Sequence, residues 1–545
     1  MPSITVSYRD LCKLVGKHIE PRQLCERLSM LGIGPEMSDD ELKLEITHNR
    51  SDLLSSEGVA RALKGFLGVE TGLPDYKLRP SGVKVEVDQS VKPIRPFIAA
   101  GVVTNVRLTD EIVASLMQVQ EKLHASLCRN RRKGSIGVYD LAAIMPPVRY
   151  TTTLPDGIRF VPLDFNREMT PAQILREHPK GIEYARTIQD LPRYPLLIDS
   201  RGVVLSMPPI INSEDTRVTE KTKEFFIDVT GLEERVVNRT LTILMTGLAE
   251  REFELKSVLV RYPGRQTRTP NLAPQKRRLS ACDANEAIGL KLTPKEIAKI
   301  AEKMRYGVAK IKDDILTLLA PPYRGDIMHE IDLIEDIAIG YGYDRLEPTL
   351  PKVLTIGERA PVEKVSTKAR RVLTGLGFTE VMTYTLTNPH TNFELMRTKG
   401  EAAEIANPVS EEYTIVRESL LPSLLSALRE NRRHPLPHQI FEVGDVVVLD
   451  PQTETGAKNV RRAAAAVIGN NMGFTYIKSV AEALLRELGV AWEVRPAWHP
   501  SFLDGRAAEL VVGDKRLGVV GELHPEVILG FELEHPVAVF EVDLE

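Results

Sequence analysis

Apolar residues recur along the chain on two periods, and the change from one to the other marks out its elements. Ile4, Val6 and Tyr8 alternate with polar residues as in a strand, whereas Leu24, Leu28 and Leu31 form a helical stripe closed by Gly32. Leu42, Leu44 and Ile46 alternate again. The polar turn that follows holds His48, Asn49 and Asp52, read as side chains bonding their own backbone. Ser55 or Ser56 then caps a helix bearing Val59, Leu63, Phe66 and Leu67. Residues 83–87 and 97–104 read as strands and 116–127 as a helix. The basic run 129–133 reads as a solvated face or a phosphate-positioning stretch, followed by a turn through 134–140. A strand pair over 194–206 hinges at Ser200, Arg201 and Gly202, and residues 225–231 form another apolar run. Pro, Gly and cations dominate 262–278 without apolar periodicity, which predicts a solvated tether in preference to a stretch that touches nucleic-acid phosphates.

Farther on, Thr293, Pro294, Lys295 and Glu296 spell a capping box. It opens a helix with Ile297, Ile300, Ala301 and Met304 inward. Residues 311–319 form a hairpin, and 328–341 a helix with Ile331, Ile334, Ala338 and Tyr341 as its apolar stripe. From residue 366 a helix leads into a strand. The pattern is that of an α+β, multidomain chain. The expected divisions are 1–75, 85–262, a linker at 263–278, 279–350 and 355–545.

Composition adds limits rather than detail. Hydrophobic residues make up 43% and charged residues 27% of 545, as in an ordinary globular protein. Four widely spaced cysteines give neither a zinc motif nor a disulfide framework. The opening residues do not read as a signal peptide and no apolar run reaches membrane-spanning length, so a cytoplasmic protein without membrane contact is expected. With a net charge of −4, any nucleic-acid contact must be local or shared with a partner.

Two places carry candidate chemistry. Asp332, Glu335 and Asp336 share one face of the 328–341 helix, and Asp326 sits in the preceding turn. Such crowding is unfavourable unless cancelled, and Arg324 and His329 are too few. The group is either a solvated acidic face or a set of ligands for a hard cation such as Mg²⁺. The second place is Asp228, set between Ile227 and Val229 at a strand position, where burial demands a partner. It is either a turn cap at Thr230-Gly231 or a recognition group.

The string Arg324-Gly325-Asp326-Ile327, then 332–338 (Asp-Leu-Ile-Glu-Asp-Ile-Ala), then Tyr341-Gly342-Tyr343 resembles the signature of the phenylalanyl-tRNA synthetase beta-subunit family. That resemblance covers essentially the whole chain. It implies Mg²⁺ on Asp326, Asp332, Glu335 and Asp336 at the contact with an alpha subunit. It implies a structural amino-terminal domain and a mixed α/β editing domain of archaeal or eukaryotic type that hydrolyses tyrosyl-tRNA. Asp228 and Thr230 then become the editing residues, with Leu197, Ser206 and Asn212 as substrate-binding walls. It further implies a winged-helix-like central domain, whose acidic helix excludes a DNA reader. The last domain resembles a class II synthetase antiparallel-sheet core. Residues 517–545 contain no lysine or arginine, so the catalytic arginine of that core's final motif is missing. His499, Asp504 and His524 read as caps and interface residues. The implied partners are an alpha subunit in an α2β2 tetramer, which uses ATP, and tRNA(Phe). A stand-alone deacylase and a non-enzymatic tRNA-binding scaffold are the other readings.

Overall fold

A computed structural model describes residues 2–350 and 355–544; Met1 and Glu545, the ends of the first and last expected domains, lie outside them. The chain divides into two compact units, 1–349 and 350–545. Among the described residues no helix is long and apolar enough to cross a membrane.

The first unit contains three sheets. Ser3–Ser7, Glu41–Glu45 and Gly34–Ser38 form a small antiparallel sheet. The helix Ser56–Phe66 follows it, and Ser55 is its cap, accepting a hydrogen bond from the Gly58 N–H at 3.1 Å. Asp52 is tied to Arg50 at 2.9 Å rather than to its own backbone.

A ten-stranded sheet dominates the middle of this unit. At one end the strands Phe97–Thr104, Phe225–Gly231 and Gly134–Asp140 lie side by side. At the other, Tyr194–Ile198 and Val204–Met207 lead to Ile211–Asn212. The helices Asp110–Ala125 and Glu234–Ala249 cover the face bearing Phe225, Ile227 and Val229. Residues 134–140, expected as a turn, are the edge strand. Their glycines are tolerated because every residue from Gly134 to Tyr139 is buried. The expected tether at 263–278 is also largely strand. Arg265–Thr269 folds back on Glu254–Tyr262 through a turn at Gly264, whose φ is +82°.

Gln275–Ser280 belongs to the third sheet, pairing with Ile315–Ala320, which pairs in turn with Gly307–Lys312. The capping box at Thr293 and Glu296 is present on the helix Pro294–Lys303. The acidic helix runs Glu330–Tyr341, two residues shorter than expected. In the second unit, helices Pro361–Gly375 and Phe474–Leu488 pack on a seven-stranded, mainly antiparallel sheet.

Candidate functional site

The two ends of the ten-stranded sheet curl within hydrogen-bond reach of each other. Asn212 Nδ2 donates to the Val138 carbonyl at 3.2 Å, and Arg131 Nη1 donates to the carbonyls of Pro209 and Ile210 at 3.1 and 2.9 Å. Arg131 is therefore a buried clamp, not the solvated cation expected of the basic run. A cavity of about 380 Å³ lies in this seam. Leu116, Met117, Val138, Ile210, Ile211 and Val218 are among its apolar walls, and Asp228, Tyr139 and Ser206 contribute polar groups.

The polar groups form a chain. Along Phe225–Gly231 the side chains alternate, so Phe226, Asp228 and Thr230 face away from the helices. Asp228 pairs across the strands with Gly137 and Ala100, which leave room for its carboxylate. Tyr139 Oη lies 2.6 Å from Asp228 Oδ1 and 2.8 Å from Ser206 Oγ. A phenol has one proton. It serves the carboxylate, leaving the Ser206 hydroxyl to donate to the Tyr139 oxygen. Burial pushes the Asp228 carboxyl up to about 7, opposed by the Tyr139 hydrogen bond and the charge of Arg95. Burial and the neighbouring Asp228 hold the Tyr139 phenol neutral, well above its usual range.

Of the residues expected from sequence, Asp228, Ser206 and Asn212 meet at this cavity. Leu197 pairs with Ser206 across the strands but lies in the core with Tyr139 and Phe226. Thr230 does not line the cavity either. Its hydroxyl takes a hydrogen bond from Arg95 Nε at 3.0 Å and sits 3.0 Å from Ser135 Oγ. This corrects its expected catalytic place: Thr230 positions the buried Arg95, whose charge is felt at Asp228. Sequence reasoning missed Tyr139, Arg95 and Gly137. A side chain at Gly137 would collide with both Tyr139 Oη and Asp228 Oδ1. Gly137→Ala is therefore expected to destabilise the fold by about 1–3 kcal/mol and to break the Tyr139–Asp228 bond. Thermal melting, together with a loss of activity at this cavity, checks it.

The acidic group is arranged differently from a ligand set. Arg324 Nη2 bonds Asp326 Oδ2 at 2.6 Å and Asp336 Oδ2 at 2.8 Å, while its Nε bonds Asp326 Oδ1 at 2.9 Å. The Tyr306 hydroxyl also donates to Asp336 Oδ2. Asp332 Oδ2 accepts the N–H groups of Met328 and His329, both at 2.7 Å, and so caps its own helix. Glu335 is exposed, and so is Ile331, whereas Asp336 is buried. Asp332, Glu335 and Asp336 keep the spacing of one helix face, with Glu335 exposed and Asp336 buried, and Arg324 holds Asp326 and Asp336 directly; a shared Mg²⁺ stays what the resemblance implies. Among the described residues no group of three or more acidic, His or Cys side chains fits a metal ion. One buried guanidinium does the neutralising.

The second unit has a cavity of about 390 Å³ over its sheet. Glu418, Glu541 and Asp543 line it, with Arg462 tied to Asp543 at 2.7 Å and to Glu541 at 3.5 Å. Burial pushes both glutamates up. His524 caps the helix Pro525–Gly530, and His499 Nδ1 accepts the Ser501 N–H at 3.2 Å.

Comparison with known proteins covers both units. Residues 277–343 match the tRNA synthetase B5 domain family, and 346–544 match the phenylalanyl tRNA synthetase beta chain CLM domain family. The chain is 46% identical over 549 residues to a phenylalanine–tRNA ligase beta subunit of Archaeoglobus fulgidus, covering 100% of this chain and 98% of that one. To a phenylalanine–tRNA ligase beta subunit of Methanothrix thermoacetophila it is 43% identical, with 100% of each chain covered. An N-terminal fragment of the phenylalanyl-tRNA synthetase beta subunit from Pyrococcus horikoshii superposes with a TM-score of 0.60 at 39% identity. That match covers 62% of this chain and 99% of the fragment. Identity of this extent over the whole length means that the chain belongs to the family of phenylalanine–tRNA ligase beta subunits.

Proposed function

We propose that the seam cavity clears tyrosine wrongly attached to tRNA(Phe). In this reading an alpha subunit, joined with this chain in a cytoplasmic α2β2 assembly, activates phenylalanine with ATP and charges the tRNA. The observation that carries it is the Ser206–Tyr139–Asp228 chain, which lines the cavity together with apolar side chains from Leu116 to Val218. A pocket shaped for a phenyl ring excludes an added hydroxyl by only about a hundredfold, so charging alone lets tyrosine through. A second pocket that accepts a hydrogen bond from the phenol discriminates by roughly 10⁴ or more, because phenylalanine brings no donor to the Asp228 oxygen that Tyr139 does not bond.

The aromatic side chain enters between the apolar walls, and its hydroxyl donates to Asp228. Water adds to the ester carbonyl, the bond to the ribose oxygen breaks, and that oxygen takes a proton, giving free tyrosine and tRNA. The residues here bind and orient the substrate for that step. The test is hydrolysis of tyrosyl-tRNA(Phe) against phenylalanyl-tRNA(Phe) by the assembled enzyme. Tyrosyl-tRNA should be cleared at least about a hundredfold faster. Equal rates would refute the reading.

Assigning ATP chemistry to the alpha subunit is supported by the cavity of the second unit. Triphosphate needs free cations around it, yet three carboxylates line this cavity beside Lys399, Arg462 and Arg516; Arg462 is paired with two of them and Arg516 with Glu509. The chain alone is expected to give no phenylalanine-dependent exchange of diphosphate into ATP. Exchange by the purified chain would contradict this assignment.

A further inference from the structure

A groove of about 700 Å³ runs between the first turns of the helix Glu234–Ala249 and the stretch from Thr267 to Gln275. Three arginines line it: Arg235 and Arg239 from the helix, and Arg268 from the strand Arg265–Thr269. No carboxylate lines it at all. In a chain of net charge −4, such local segregation is unusual. None of the three has a hydrogen bond or ion pair from its side chain among the described residues, whereas the adjacent Arg265 is paired with Glu234 at 2.9 Å.

The two helical arginines are four residues apart and so share a face, where like charges repel. Arg239 is the more buried, and burial followed by the charge of Arg235 lowers its pKa. It reaches that position because residue 325 is glycine; any side chain there would overlap its guanidinium. The glycine of the Arg324-Gly325-Asp326 string thus makes room for a cation that no carboxylate bonds directly, though the charges of Asp326 and Asp52 are felt there. An anion in the groove would relieve both the repulsion and the desolvation. Asn238, Asn271 and Thr267 stand beside the arginines as neutral donors.

We propose that this groove holds the sugar–phosphate backbone of the tRNA whose acylated end enters the seam cavity. No aromatic side chain lines it, so it takes phosphates rather than stacked bases and does not read sequence. The proposal rests on the editing reading only for which RNA is bound.

The test uses the full-length chain assembled with its alpha partner and an uncharged tRNA(Phe) transcript. Arg235 and Arg268 are both exposed, so the double variant Arg235→Gln/Arg268→Gln should melt like the wild type. Its Kd for the transcript should rise about tenfold or more, and the slope of log K against log salt should flatten by about 1–2. An unchanged Kd and slope would overturn the proposal. So would loss of the alpha partner with the chain's own RNA affinity intact, which would give the groove to a protein. Failure of the editing reading shows separately, as absent hydrolysis of a tyrosyl ester of adenosine by the wild type.

Discussion

Alanine in place of Asp228 is expected to slow clearance of tyrosyl-tRNA(Phe) by ~10²–10³-fold while phenylalanine charging continues. The variant removes the carboxylate that Tyr139 bonds at the cavity and frees the Tyr139 phenol. Asparagine at the same position keeps the shape but weakens the bond to a phenol, and should fall between the two. Deacylation of purified tyrosyl-tRNA, measured beside aminoacylation in the same preparation, checks both. A variant that still clears tyrosine at the wild-type rate would remove Asp228 from the account.

The same group sets a pH dependence. Its carboxyl is lifted to about 7 by burial, so the acceptor form is lost as pH falls through neutrality. Tyrosyl-tRNA clearance should therefore rise between about pH 6 and 8, and the rise should vanish in Asp228→Asn. Stability runs the other way. The folded carboxyl holds its proton more tightly than the ordinary value of 3.8, so its stabilising contribution is full below that value and is lost as pH rises through about 7.

Arg324→Ala is expected to be the most destabilising single change outside the cavity. Arg324 is buried against Asp326 and Asp336, both of which would be left without their cation. Breaking a buried pair from one side costs about 3–5 kcal/mol, here a fall in Tm of about 4–7 °C. Adding Asp336→Asn should restore part of the loss, because one of the stranded charges is then gone. Excess chelator should leave the Tm of the wild-type chain unchanged. A chelator-induced drop of several degrees, or an Arg324→Ala chain as stable as the wild type, would show that a metal ion does what the guanidinium is assigned here.

The contrast between these two sites shows what the residues disclose before folding. Asp228 stood out because a carboxylate inside an apolar strand has to be partnered. What partners it did not stand out: Tyr139 lies 89 positions away and Arg95 reaches Thr230 across 135. No periodicity joins strands separated by whole helices. Gly137 gave a misleading sign, since glycine depresses strand formation, and its reason for being there is a clearance that exists only in the folded sheet. The acidic helix withheld something else. Spacing counted charges but not burial, and one planar guanidinium can satisfy two carboxylates once all three leave water. Local signals fared well. The Thr293 capping box and the hinge between Tyr194–Ile198 and Val204–Met207 need only neighbours in sequence.

The claim on which the account turns is that the seam cavity recognises a phenol through Asp228. The most direct measurement is a crystal structure of the assembled enzyme with a non-hydrolysable tyrosyl-adenosine. The account predicts the ring between Val138 and Ile210, with its hydroxyl within ordinary hydrogen-bond distance of the Asp228 carboxylate. Tyrosine bound with its hydroxyl toward solvent, or bound elsewhere with the cavity empty, would contradict it.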